Sequence, residues 1–273
     1  MTTSSRSKFT VPHLATRKQA GEPITMVTAY DATSARIVDA AGVDVILVGD
    51  SVGTVVQGHH NTLSVTMDQM AYHVQMVASQ KTTALVVGDL PFGSYHTCHR
   101  DAIENAVRLI QHGAEVVKLE GGIHLADTIA AMCEMDIAVM GHIGLTPQSY
   151  HRMGGHKVQG RSSGDVPGSR QRLIEDALAV ESAGACAVVI EGVPMDVAEE
   201  ITSKVTIPTI GIGAGPHCDG QVLVFHDVVG LSDREFTFTK AYAQLRTVAI
   251  DAISQFVDDV QKRTWPDDSH SFH

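Results

Sequence analysis

The sequence predicts an α/β fold: a single-domain (β/α)8 TIM barrel with an N-terminal helix closing the barrel bottom. Three observations predict it. Short apolar runs alternate with amphipathic stretches along the chain, the pattern of a parallel sheet wrapped in helices. Eight such units fit into about 250 residues, which favours a closed barrel over an open doubly wound sheet. Several runs end on a carboxylate, where the strand ends of a barrel gather at one mouth.

Strands are predicted at 24–30 (ITMVTAY), 43–49, 84–88, 115–120, 137–142 (IAVMGH), 186–191, 208–213 (PTIGIG) and 221–226 (QVLVFH). The segment VPHLATRKQAG before the first strand reads as the bottom helix. Thr66 and Gln69 stand at capping-box spacing ahead of MAYHVQMV. RDAIENAVRLIQHG puts Ile103, Ala106, Val107 and Ile110 on one stripe, with Gly113 as the stop. RLIEDALAVESAG repeats that layout up to Gly184. The seventh crossover, AGPHCDG, leaves room for only a vestigial helix. LRTVAIDAISQFVDDV aligns Leu245, Val248, Ala249, Ala252, Ile253 and Phe256, the stripe of a packed outer helix. Residues 1–10 and 266–273 read as tails around a catalytic domain spanning 11–265.

Bulk properties narrow the function. A 273-residue chain with 44% apolar and 19% charged residues is ordinary for a globular protein. A net charge of −11 argues against nucleic acid as a partner, because neutralising phosphates needs a cationic surface. No apolar stretch reaches about 18 residues, so no membrane span is expected. MTTSSRSKFT lacks an apolar signal core, so a cytoplasmic location is expected. Cys98, Cys133, Cys186 and Cys218 show no CxxC spacing and read as reduced thiols. His59 and His60 read as polar loop residues rather than metal ligands.

The chemistry gathers at the strand ends. VDVILVGD ends on Asp50, ALVVGD on Asp89, EVVKLE on Glu120 and AVVIE on Glu191. Any one of these could be a helix cap or a loop residue. Four together, from four strands, point to a shared cation, because two like charges ~4 Å apart cost about 4 kcal/mol at an effective dielectric near 20. Relief comes from protonation, a salt bridge or a divalent ion. Oxygen ligands without a nearby Cys/His set favour Mg2+ or a similar hard ion over zinc. Lys118 lies two residues before Glu120, so both face the barrel interior if either does. A lysine there is a structural ion pair, a holder of an anionic substrate or a Schiff-base former. His142, at the end of the fifth strand, adds a neutral donor to the same mouth. GIGAG at 211–215 fails as a dinucleotide loop because Pro216 occupies the third glycine position. Residues 145–168, Gly-rich and irregular, read as a lid or substrate loop.

VTAYD (27–31), LVGDSVG (47–53), GDLPF (88–92), VKLEGG (117–122), GHIGLTPQS (141–149), GGHKVQGR (154–161), IEGVP (190–194), IGIGAG (210–215) and HDVVGL (226–231) occur in this order. In these motifs the chain closely resembles the ketopantoate hydroxymethyltransferase family, from about residue 8 to the end of the C-terminal helix. The resemblance implies a Mg2+-binding (β/α)8 barrel. It puts Asp50, Asp89 and Glu120 on the metal positions, and Ser51, Lys118, Asp50 and Asp89 on the keto-acid positions. Glu191 falls on the catalytic base. The implied reaction moves a hydroxymethyl group from 5,10-methylenetetrahydrofolate to 3-methyl-2-oxobutanoate, giving 2-dehydropantoate and tetrahydrofolate in pantothenate synthesis. It also implies a homodecamer of two pentameric rings. His156 replaces a usual aromatic residue and Ser64 a common proline, both in loops. The competing reading is a Mg2+-dependent barrel of the phosphoenolpyruvate mutase and isocitrate lyase kind. The absence of cysteine from the 145–168 loop counts against it. A catalytically dead scaffold would be expected to have lost one of the clustered acids, and all are present.

Overall fold

The computed structural model describes residues 6–164, 166–233 and 236–272; residues 1–5 of the expected N-terminal tail, residue 165 of the expected lid and His273 lie outside the described residues. The chain divides into two compact units, Met1–Val224 and Phe225–His273.

The first unit is a closed barrel of eight parallel strands in sequence order. The strands are β1 (Ile24–Thr28), β2 (Val45–Val48), β3 (Leu85–Asp89), β4 (Val116–Glu120), β5 (Val139–Gly144), β6 (Ala187–Glu191), β7 (Thr209–Ile212) and β8 (Gly220–Leu223). All pairings are parallel, and β8 closes on β1 through Ile24↔Gly220 to Val27↔Leu223. Alternate residues fill the interior: Met26, Val45, Leu47, Leu85, Val87, Val116, Met140, Ala187, Val189, Ile210 and Val222 belong to one buried core. Continuing the same alternation towards the C-terminal ends brings Asp89, Lys118, Glu120, His142 and Glu191 onto the inward face. The interior therefore changes from apolar to ionisable within one strand residue pair, and this change places the site.

The bottom is closed by the helix Val11–Ala20, whose Leu14 is fully buried in the barrel core. Acids at the strand entrances fasten the N-terminal segment: Lys8 pairs with Glu115 at 2.6 Å and Lys18 with Asp219 at 2.8 Å. Arg6 and Arg17 both pair with Asp44. Phe9 donates its N–H to Thr83 O at 2.7 Å. Residues 6–10, read as tail from their polarity, are thus pinned by partners distant in sequence.

The Thr66–Gln69 capping box forms as expected and starts the helix Met67–Ala78. The stripe of His99–Gln111 differs from expectation: Ala102, Ala106 and Leu109 are the buried positions, while Val107 and Ile110 are exposed. Small alanines face inward because the helix lies close against its neighbours, and the larger side chains flank that contact. The eighth strand is shifted: it runs 220–223, and 225–228 is helical. Gly220 was masked as a strand residue by its identity, yet only glycine fits there, since a Cβ would lie 2.5 Å from Ile24 O. Residues 213–219 hold turns and no helix.

In the second unit, Leu245–Lys262 is helical, as its stripe predicts, but no residue of it is buried; Val248 and Ile253 are 60% and 63% exposed. The expected packing of this helix is therefore not made within the described residues. No helix among the described residues is long and apolar enough to cross a membrane.

Candidate active site

The ladder register sets the spacing of the ionisable residues. Asp89 on β3 lies opposite Lys118 on β4, and Glu120 on β4 lies opposite His142 on β5. Lys118 Nζ sits 2.8 Å from Asp89 Oδ1. His142 Nδ1 lies 3.3 Å from Glu120 Oε1, and its Nε2 lies 3.2 Å from Glu191 Oε2. Asp50 follows β2, and its backbone N–H donates to Asp89 Oδ2 at 3.2 Å. Asp50, Asp89, Lys118, Glu120 and His142 are all buried, while Glu191 keeps 18% of its side chain exposed. The structure thus brings six predicted residues into one chain of contacts. Ser51 stands at its edge: its hydroxyl meets Tyr30 Oη at 2.8 Å, and that tyrosine is fully buried.

Burial and crowding set the charges. Burial raises Asp50 well above the usual carboxylate range, Asp89 and Glu120 add to the rise, and Lys118 and Gln148 oppose it. Asp89 is also raised by burial, against the pull of Lys118. Glu120 goes the other way: burial raises it, but His142, Lys118 and the Gln148 N–H outweigh burial. Lys118 stays an ammonium, because Asp89, Glu120 and Asp50 outweigh the burial penalty. Burial and Lys118 push His142 down, but Glu120 and Glu191 carry it up to about 9. The imidazole lies between two carboxylates, Glu120 on the Nδ1 side and Glu191 on the Nε2 side. Its Nδ1 also lies 3.3 Å from Lys118 Nζ, within hydrogen-bond distance. His142 also does not end its strand, since β5 continues to Gly144.

Three residues join the site that strand-end logic missed. Gln148 is buried; its Nε2 donates to Asp50 Oδ2 and Leu90 O, each at 2.9 Å, and its backbone N–H donates to Glu120 Oε2 at 2.9 Å. Its Oε1 accepts from Tyr95 Oη at 2.6 Å, and Tyr95 Oη in turn accepts the Glu120 N–H at 3.1 Å. Gln148 and Tyr30 stand inside the motifs GHIGLTPQS and VTAYD, which is the only sequence signal they carry. Nothing in local sequence marks Tyr95.

The donor set suits a hard cation. Four acids face Lys118 and His142, and burial raises Asp50 and Asp89 above the usual carboxylate range. All donors are oxygens, which suits magnesium. Among the described residues no group of three or more acid, histidine or cysteine side chains is placed to hold a metal ion by itself. An ion held here would keep water in part of its shell, as magnesium commonly does.

A cavity of about 570 Å3 opens beside Glu120, between the loop after β4, the 145–168 loop and the helix Arg170–Ser182. Of the clustered carboxylates only Glu120 lines it.

The ketopantoate hydroxymethyltransferase family model matches residues 8–268. A protein from Geobacter metallireducens named 3-methyl-2-oxobutanoate hydroxymethyltransferase is 54% identical over 267 residues, covering 97% of this chain and 98% of its own. One of the same name from Geobacter sulfurreducens is 56% identical over 257 residues, covering 93% and 95%. Among solved structures, a phosphonopyruvate hydrolase in complex with oxalate and Mg++ aligns with a TM-score of 0.62 at 12% identity, covering 96% of this chain and 91% of its own. A phosphoenolpyruvate phosphomutase from Streptomyces platensis subsp. rosaceus aligns at 0.63 with 16% identity, covering 93% and 88%. At such identities these two show the barrel fold alone.

Proposed function

The chain belongs to the ketopantoate hydroxymethyltransferase family, and from that premise we propose that this transferase moves a hydroxymethyl group from 5,10-methylenetetrahydrofolate to 3-methyl-2-oxobutanoate, in pantothenate synthesis. The observation that carries the reading is the contact chain Asp89–Lys118 and Glu120–His142–Glu191, with Asp50 and Gln148 beside it.

Asp50, Asp89 and Glu120 are the residues to hold Mg2+. When bound, the ion supplies Lewis-acid polarisation of the 2-oxo group of the substrate. Lys118 places a fixed ammonium near the substrate oxygens, where negative charge develops as the enolate forms. Ser51, steadied by Tyr30, offers its hydroxyl to the keto-acid carboxylate. Glu191 is the base: it is the most exposed of the acids and stands on a strand apart from Asp50, Asp89 and Glu120. It takes the proton from C3. His142 Nε2, 3.2 Å from Glu191 Oε2, holds that carboxylate in position. The enolate carbon then bonds to the donor's methylene carbon as one of its two carbon–nitrogen bonds breaks, water supplies the hydroxyl oxygen as the other breaks, and the protons given up by C3 and water end on the two nitrogens of tetrahydrofolate. The ammonium of Lys118 serves as charge, and no imine is required. The family likeness further implies a decamer; light scattering should then give ten times the 29.2 kDa chain mass.

The test is a product assay with and without methylenetetrahydrofolate. This reading expects 2-dehydropantoate only with the donor. Cleavage or rearrangement of a 2-oxo acid without it would favour the chemistry of the structural neighbours instead. Glu191→Gln should still bind keto acid but stop exchange of the C3 proton into deuterated water; persisting exchange would move the base elsewhere.

A further inference from the structure

We propose that the cavity beside Glu120 seats the carboxylate-bearing tail of the folate donor, with Arg152 and Arg172 as its anchor. This inference rests on the folate reading above. A volume of about 570 Å3 falls within the range of sites for drug-sized ligands and far exceeds what a five-carbon keto acid fills. The cavity reaches the carboxylate cluster at Glu120 and runs out to the 145–168 loop and the helix Arg170–Ser182, so one end touches the reaction centre.

Its two ends differ in charge. Glu120 marks the inner end, while Arg152 and Arg172 stand in the outer wall. Their closeness shows at His124, which burial pushes below its ordinary value, Asp176 pulls back up and both guanidiniums push down. Neither arginine is committed. Arg152 makes a 3.2 Å bond to the Ser149 hydroxyl and, among the described residues, no ion pair. Arg172 has only long approaches to Glu175 and Asp176, at 3.7 and 3.9 Å. A guanidinium has five donors in a planar fork that matches a carboxylate, so both retain capacity for an anion. Asp176 does not compete for that role: it accepts the Ile123 N–H at 2.9 Å and packs so tightly on Gly122 that a Cβ there would lie 2.0 Å from Asp176 Oδ1. It holds the loop after β4 in place. The polarity orients the ligand, with the amine-rich ring system inward and the glutamate carboxylates outward.

The experiment measures binding of two probes to the wild-type protein and to Arg152→Gln, Arg172→Gln and their double variant. One probe is 5-formyltetrahydrofolate, which has the tail; the other is 6-methyltetrahydropterin, which lacks it. The inference expects each single variant to bind the tailed probe about tenfold more weakly, with the tailless probe unmoved. The KM for methylenetetrahydrofolate should rise while that for the keto acid stays put. Arg172→Lys keeps the charge but loses the fork, and should fall between. Circular dichroism confirms folding of each variant. Equal loss for both probes, or no loss for either, overturns the assignment. If the wild-type protein binds no tetrahydrofolate and makes no product from it, the folate reading itself fails; if it does both and the variants match it, only the cavity assignment fails.

Discussion

Replacing Lys118 with methionine should destabilise the protein in a way that acid repairs. The side chain is 4% exposed and lies 2.8 Å from Asp89 Oδ1, itself 2% exposed. Removing one partner of such a pair leaves a buried charge without compensation, typically at a cost of about 3–5 kcal/mol. The structure sets a ceiling. Asp89 can escape the penalty by taking a proton, and its ordinary value is 3.8, so protonation at pH 7 costs at most about 4 kcal/mol, at roughly 1.4 per pKa unit. Losing the burial of the ammonium returns part of that, so the expected deficit is about 2–4 kcal/mol at pH 7.5. Its sign against pH follows from the acids. In the variant Asp89 and Asp50 have folded values raised even further above the unfolded one, so the penalty is full at high pH and relieved as pH falls through the folded values. Urea denaturation of both proteins at one concentration, in chelator, at pH 7.5 and 5.5 measures it. The deficit should shrink by about 1–2 kcal/mol at the lower pH. Asp89→Asn on top of Lys118→Met should recover stability. A variant as stable as the parent at pH 7.5, or a deficit independent of pH, would refute the electrostatic reasoning.

Gln148→Met keeps the volume but removes the amide that donates to Asp50 and accepts from Tyr95. Loss of that orienting bond should weaken Mg2+ binding about 10–100-fold by calorimetry; an unchanged dissociation constant would leave Gln148 a purely structural residue. Glu181 tests the frame instead of the site. Burial raises it, but bonds from Thr206 and Ile207 outweigh this and hold it below 4.5. Its contribution is present above pH 4.5 and lost as pH falls through the lowered folded value. Glu181→Gln should therefore cost about 1 kcal/mol at pH 7, and the two proteins should converge in stability near pH 3; a gap that persists in acid would contradict the assignment.

The barrel was legible because its interior is periodic. Runs such as Leu85, Val87, Asp89 show both the buried alternation and the residue at which it turns ionisable. Asp89, Glu120, Glu191 and Lys118 could be found from that rule, whereas Asp50 lies beyond β2 and off its alternation, and shows only as the acid that ends the run. Gln148 and Tyr95 could not, since they reach the site from loops whose course depends on tertiary contacts. Gly220 hid a strand start because glycine ordinarily breaks strands, whereas here the backbone of β1 leaves no room for any side chain. The partners of His142 escaped sequence reading for a similar reason: two carboxylates, from β4 and β6, converge on one ring. The inward stripe of His99–Gln111 runs through Ala102, Ala106 and Leu109, turned from the Ile103, Val107 and Ile110 line that most of its larger side chains suggest.

The central claim is that acids from separate strands gather a divalent ion that makes the C3 proton of a 2-oxo acid removable. Proton NMR of 3-methyl-2-oxobutanoate in deuterated buffer, with enzyme but no folate, tests it directly. The account predicts loss of the C3 proton signal with Mg2+ present, no loss after exhaustive chelation, and recovery when Mg2+ is returned. Exchange at the same rate in the chelated enzyme would contradict it.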